Sequence, residues 1–104
     1  MPTPAKSPVT LINILSVEPQ NQQQLVDLLQ ENTEAVIKTL NGWMATNLIA
    51  SADGKQVVIH SQWEALTDIE AMRCDPRMVA YFPKISQLAS LSSIAGAVVL
   101  SHQR

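Results

Sequence analysis

Charged residues are scarce in this sequence of 104 residues. They make up 15% of the chain, whereas about 25% is usual for a soluble domain. No cluster of lysine and arginine occurs and the formal net charge is −2, so nucleic-acid binding through phosphate groups is not expected. A surface so poor in charge is either rich in uncharged polar groups or partly covered by another subunit.

Long apolar runs are absent as well. The longest candidate, Ile94–Leu100, contains a glycine and is far shorter than the about 20 residues that span a bilayer, so no membrane partner is expected. Residues 1–8 lack the apolar core of a signal peptide and are interpreted as a flexible arm, which leaves one domain over residues 9–104. Cys74 is the only cysteine, which excludes an intrachain disulfide and favours a reducing cytoplasm.

Several chemical signatures are also missing. The sequence contains no cluster of metal-ligand residues, no glycine-rich phosphate loop and no Ser/His/Asp arrangement. Only two histidines, His60 and His102, occur in the chain. We therefore expect neither a metal ion nor another cofactor.

What is present predicts four strands. They are rich in branched residues or alternate in polarity, and in chain order they are Val9–Val17, Trp43–Ser51, Lys55–Trp63 and Ile94–Ser101. Asp53-Gly54 lies between the second and third strands and suits the positive φ of a tight hairpin. These two strands are therefore expected to be antiparallel neighbours.

Capping signals predict the helices between the strands. Asn21 with Gln24 has the spacing of a capping box, and the helix that it opens should end at Asn41-Gly42. A second capping box at Thr67–Glu70 opens a short helix. Asp75-Pro76 begins another helical segment, and Pro83 must kink or restart it because proline lacks the N–H donor.

The order strand, helix, strand, strand, helix, strand predicts an α+β fold, the ferredoxin-like βαββαβ sandwich. Its four-stranded antiparallel sheet has helices on one face and the first and third strands in the centre. Simple alternation directs Ile12, Ile14, Leu48 and Val58 to the other face. Because a bare apolar face is unusual in a monomer, we expect a homodimer in which two sheets stack.

His60 and Trp63 lie close together in the third strand but are not expected to act as a pair. Side chains alternate along a strand, so Ile59, Ser61 and Trp63 share one face while His60 points to the other. Trp63 is then expected between sheet and helices, and His60 in the dimer interior.

With these elements placed, the chain resembles the antibiotic biosynthesis monooxygenase (ABM) domain family of dimeric α/β-barrel proteins. The resemblance covers Val9 to His102 and is carried by "VTLINILSVEP", "LNGWMATNLIASADGKQVVIHSQWEALTDIEAM" and "DPRM". Its landmarks are Gly42, Asp53-Gly54 and Gln62-Trp63.

The resemblance implies a homodimer in which each subunit holds a pocket between sheet and helices. Some relatives oxidise anthrone-type or quinol-type aromatics with molecular oxygen, without metal or flavin, and Trp63 matches the tryptophan that lines their pocket. In the anthrone-oxidising members an asparagine lies four residues before this tryptophan, usually followed by tyrosine. Here those positions are Ile59 and His60, and an isoleucine cannot hydrogen-bond a phenolate or a peroxide intermediate.

Haem-degrading relatives use an asparagine of the first strand, which Asn13 matches, and a histidine of a helix as iron ligand. The helical position falls near Phe82, and no histidine lies between His60 and His102. The resemblance therefore does not imply haem.

Each candidate residue has two interpretations. Trp63 either closes the core as a packed aromatic or lines the pocket. Asn13 either bonds a helix end or buried water or donates to a substrate carbonyl or developing oxyanion. Tyr81 and Phe82 either pack in the core or form a lid over the pocket.

We therefore expect a small cofactor-independent monooxygenase acting on an electron-rich aromatic of the quinol or anthrone type. Asn13 and Trp63 are the expected catalytic residues, and Ile59, Tyr81 and Phe82 the expected ligand-binding ones. The alternative, which Ile59 favours, is a non-catalytic dimeric module of the same fold. Such a module would bind a small apolar ligand or be a stress-related protein without turnover.

Overall fold

The structure, a computed structural model, describes residues 8–104, which contain a four-stranded antiparallel sheet. The strands are β1 (Val9–Val17), β2 (Trp43–Ala50), β3 (Gln56–Trp63) and β4 (Ala89–Gly96). Their order across the sheet is β2-β3-β1-β4, which confirms the ferredoxin-like α+β prediction with β1 and β3 in the centre. The arm interpreted from residues 1–8 lies, except for Pro8, outside the described residues.

Helices cover one face of this sheet. They are α1 (Gln22–Ala35), α2 (Leu66–Cys74), α3 (Pro76–Val79) and α4 (Phe82–Ser86), with short 3-10 turns at Pro19–Asn21 and Ile37–Thr39. Two groups of buried apolar side chains join sheet and helices, one around Leu11 and Trp63 and one around Leu15 and Leu25. Among residues 8–104, no helix is both long and apolar enough to cross a membrane.

The predicted helix caps are only partly correct. The Asp75 carboxylate accepts a hydrogen bond from the Arg77 backbone N–H at 2.8 Å, which confirms this N-cap, and Pro83 lies in the first turn of α4, where the helical segment restarts. Asn21 makes no side-chain cap, because the 3-10 turn Pro19–Asn21 already leads into α1. The capping box at Thr67 is also wrong, since α2 begins at Leu66 with Ala65 as its N-cap, and no side chain caps it.

Both predicted turn glycines have positive φ angles. Gly54 lies at φ +80° in the β2–β3 hairpin and Gly42 at φ +81° before β2. Gly42 does not cap α1, because that helix ends at Ala35 and the turn Ile37–Thr39 follows. A Cβ at Gly42 would overlap the Asp68 carboxylate, so this glycine permits the close approach of α2.

The last strand lies elsewhere than predicted. β4 spans Ala89–Gly96 rather than Ile94–Ser101, and residues 97–104 form no regular structure. The prediction chose the more apolar stretch, which was wrong because β4 is an exposed edge strand and does not need apolar side chains. Its position is determined by its pairing with β1, from Val17↔Ala89 to Thr10↔Gly96. The short connection after α4 also brings the chain to the sheet by Ala89.

A β-bulge in β2 overturns the prediction for Leu48. Trp43 pairs with Trp63 and Ala45 with Gln62, so Met44 is an extra residue and the alternation of β2 reverses after it. Leu48 therefore packs into the core with Leu15 and Leu25, and Ile49 takes the outer face.

A cavity between the sheet and the helices

The two groups of core residues leave a cavity of about 390 Å³ between sheet and helices. Its sheet wall comes from all four strands and its helix wall from α1 to α4, and most of the lining side chains are apolar. The sheet wall includes Leu11, Asn13, Thr46, Ile59, Ser61 and Trp63. A space of this size and character is typical of a binding site for a small apolar molecule.

Strand alternation places Asn13 and Ile59 in this wall. The two residues are direct partners across β1 and β3, so their side chains lie next to each other on the helix-covered face. Asn13 is half-buried, and its amide makes no hydrogen bond to the described residues. This amide is therefore available to a molecule in the cavity.

Trp63 lines the cavity from a fixed position. It is 1% exposed, and its indole Nε1 donates a hydrogen bond to Ser61 Oγ at 3.1 Å. Ser61 Oγ in turn donates to the Leu11 carbonyl at 3.5 Å. The polar edge of the indole is thus bonded to the sheet, and its apolar surface contributes to the cavity.

The two aromatic residues predicted as a lid behave differently. Phe82 lines the cavity, whereas Tyr81 is not among its lining residues, so the predicted ligand contact of Tyr81 is not supported. Adjacent residues of a helix point about 100° apart, and Tyr81 packs against the core around Trp63 instead. Burial, the negative charge of Glu31 and a 3.4 Å hydrogen bond to Glu31 raise the pKa of Tyr81.

A buried amide, Asn32, was missed by the sequence predictions. It lies in α1, is 2% exposed and lines the cavity opposite the sheet. Its Nδ2 donates to Met78 Sδ at 3.2 Å, a weak acceptor, and its Oδ1 accepts no hydrogen bond from residues 8–104. The available signal was its spacing, because Leu25, Leu29, Asn32 and Val36 follow a single apolar stripe.

Arg73 was also missed. It is an exposed residue near the C-terminal end of α2, yet it lines the cavity, so its guanidinium lies at the mouth. Its Nη2 donates to Ser93 Oγ of β4 at 3.3 Å. The cavity therefore combines an apolar interior with amides on two walls and a positive charge at the entrance.

His60 lies on the opposite face of the sheet, as strand alternation predicts. Its neighbours across the strands are Ile12 and Asn47, and it does not line the cavity. Within residues 8–104, no group of three His, Cys, Asp or Glu side chains is placed to hold a metal ion.

Comparison with known proteins assigns the family. Residues 8–84 match the family described as antibiotic biosynthesis monooxygenase. Tetracenomycin-F1 monooxygenase of Streptomyces glaucescens is 36% identical over 80 residues, which are 77% of this chain and 71% of that protein. The chain belongs to the antibiotic biosynthesis monooxygenase family.

Solved structures share this ABM fold. The monooxygenase ActVA-Orf6 of Streptomyces coelicolor, in complex with nanaomycin D, superposes with a TM-score of 0.85 at 21% identity, over 95% of this chain and 94% of that one. SnoaB, a cofactor-independent oxygenase of Streptomyces nogalater, has a TM-score of 0.77 at 14% identity, over 91% and 96%. Rv0793 of Mycobacterium tuberculosis has a TM-score of 0.78 at 20% identity, over 93% and 100%.

Proposed function

We propose that this ABM protein is a cofactor-independent monooxygenase whose substrate is an electron-rich aromatic of the quinol or anthrone type. The observation that carries the proposal is the open cavity around Asn13, Ile59 and Trp63. If aliphatic side chains filled this space, no aromatic ring could reach Asn13 or Trp63. The family of monooxygenases to which the chain belongs makes oxygenation the expected class of reaction.

The proposed reaction needs little from the protein beyond a suitable environment. A deprotonated anthrone gives an electron to molecular oxygen, which produces a substrate radical and superoxide. These two radicals combine at the ring carbon to a peroxide, and loss of water leaves a carbonyl. Overall, one CH₂ group and one O₂ become one C=O group and one H₂O. An apolar cavity excludes solvent from the charged intermediates, and fixed dipoles replace it.

Asn13 is the proposed donor to the developing oxyanion. Its side chain lines a mostly apolar cavity, where a hydrogen bond from the amide N–H to a charged oxygen is stronger than in water. Trp63 is proposed to stack on the substrate ring, because Ser61 holds the indole in place. Ile59 and Phe82 are proposed to contact the ring through apolar surface.

The non-catalytic alternative rests on Ile59. This side chain lies beside Asn13 and offers no hydrogen bond to a peroxide or a phenolate. A protein that only binds a small apolar ligand would have the same cavity, so turnover has to be measured.

Oxygen uptake with a panel of quinols and anthrones tests the proposal. We expect wild type to consume oxygen, and Asn13→Ala and Trp63→Phe to be at least tenfold slower. Matched controls are Asn47→Ala, an exposed amide on the other sheet face, and Trp43→Phe, a tryptophan outside the cavity lining. Binding without oxygen uptake would establish the alternative, and equal rates in all five proteins would refute the site assignment.

A homodimer is part of the proposal. The helix-free face of the sheet carries three isoleucines that are at least 37% exposed, namely Ile14, Ile49 and Ile94. A second copy stacked on this face would cover them and enclose His60. We also propose a cytoplasmic location, which the single, exposed thiol of Cys74 supports.

A further inference from the structure

Arg73 is the one charged side chain among those that line the cavity. Among residues 8–104, the ion pairs are Lys38–Glu34 and Arg77–Asp75, so no carboxylate neutralises the Arg73 guanidinium. Its hydrogen-bond partner is the uncharged hydroxyl of Ser93. A positive charge without an acidic partner therefore lies at the edge of an apolar space.

Arg77 provides a comparison, because it is an arginine whose anionic partner belongs to the protein itself. Its guanidinium binds both carboxylate oxygens of Asp75 at 3.2 Å, and it lies outside the cavity lining. Arg73, four residues earlier and in α2 rather than α3, differs in both respects. The difference points to a ligand as the anionic partner of Arg73.

We propose that Arg73 is a specificity-determining residue that selects aromatic substrates carrying an anionic oxygen group, of which a carboxylate is the simplest. This inference rests on the proposed function, because it assigns a substrate class to the same cavity. The apolar ring occupies the interior, and the carboxylate stays at the mouth. There Arg73 donates two N–H groups to it, while the Ser93 hydroxyl reorients and donates a third.

The placement follows from the cost of burying charge. A carboxylate inside the cavity would lose its hydration without an ionic partner, whereas at the mouth it keeps both water and the guanidinium. Binding therefore has one orientation, ring first. That orientation determines which ring carbon lies beside Asn13 and Trp63.

Isothermal titration calorimetry under nitrogen tests the inference, with 2-naphthoate and its neutral isostere 2-naphthamide as probes. We expect wild type to bind the naphthoate about tenfold more tightly, the lower range for a hydrogen bond to a charged group. Arg73→Gln should remove this preference and leave naphthamide binding within twofold. Arg77→Gln, the matched control, should keep the preference, and added salt should weaken it.

The outcomes separate this inference from the proposed function. No preference in wild type, or equal loss in Arg73→Gln and Arg77→Gln, would overturn the role of Arg73. If neutral anthrones are then still oxidised at equal rates by wild type and Arg73→Gln, the proposed function holds without it. If neither probe binds, the role of Arg73 fails, and the proposed function fails with it only if the quinols and anthrones also cause no oxygen uptake.

Discussion

The indole Nε1 of Trp63 and the hydroxyl of Ser61 form a 3.1 Å hydrogen bond between two residues on the same face of β3. The donor is buried, and Ser61 is its partner. The orientation of the largest side chain in the cavity wall therefore depends on a serine that sequence inspection did not single out.

Replacing Ser61 by alanine should therefore leave a buried N–H group unpaired. We expect Ser61→Ala to lower the free energy of unfolding by about 1–3 kcal/mol, measured by urea denaturation. Ser90→Ala, on the exposed β4 strand, is the matched control and should change it by less than about 0.5 kcal/mol. An equal effect of both variants would show that the bond contributes nothing.

Asn32 should behave in the opposite way, as a residue kept for ligand binding rather than for stability. Within residues 8–104, the one hydrogen bond of its side chain goes to a thioether, so Asn32→Leu should keep or raise the free energy of unfolding. Binding or oxidation of the aromatic substrate should fall about tenfold, because one hydrogen bond to the ligand is lost. A strongly destabilised Asn32→Leu protein with unchanged activity would assign the amide a structural role.

The helix-free face of the sheet should determine the oligomeric state. We expect light scattering to give a dimer mass for wild type and a monomer mass for Ile94→Asp or Ile49→Asp, because each would bury a carboxylate between sheets. Val79→Asp alters a side chain of α3, on the helix side, with a comparable exposure of 47%, and should stay dimeric. A wild-type monomer, or a dimer in all variants, would exclude this face as the interface.

Asp75 should make stability depend on acid pH. Hydrogen bonds from the Arg77 side chain, then from its backbone N–H, lower the pKa of Asp75 below its ordinary value of 3.8. Because the folded pKa is the lower one, the stabilisation is present above pH 3.8 and is lost as pH falls through the folded pKa. In urea denaturation, Asp75→Asn should thus be less stable than wild type at pH 6, with the difference shrinking toward pH 3. A difference that stays constant with pH would contradict this.

Local signals were enough to predict most of the fold. Branched residues define β1, Asp53-Gly54 defines the β2–β3 hairpin, and Pro83 marks the restart of the last helix. Each of these acts within a few residues of itself, so one sequence suffices to recognise it.

The local errors concern helix ends, at Asn21, Gly42 and Thr67. The larger errors involve contacts between distant residues. Hydrophobicity placed the last strand at Ile94–Ser101, but pairing with β1 selects Ala89–Gly96, whose side chains are mostly exposed. For the site, alternation correctly located Asn13, Ile59 and Trp63 on one face. Asn32 and Arg73 join them from helices, and their helix orientation could not be derived without the packing of those helices on the sheet.

Met44 is the extra residue of β2, and the bulge that it forms determines which side chains of this strand face the helices. If Met44 took an ordinary place in the pairing with β3, Thr46 and Leu48 would leave the cavity wall and the core, and Asn47 and Ile49 would turn inward. Deletion of Met44 would instead make the strand regular and keep Ala45 opposite Gln62 and Thr46 opposite Ser61. For protein engineering, β2 can therefore lose its bulge residue and still present the same side chains to the cavity and to the outer face.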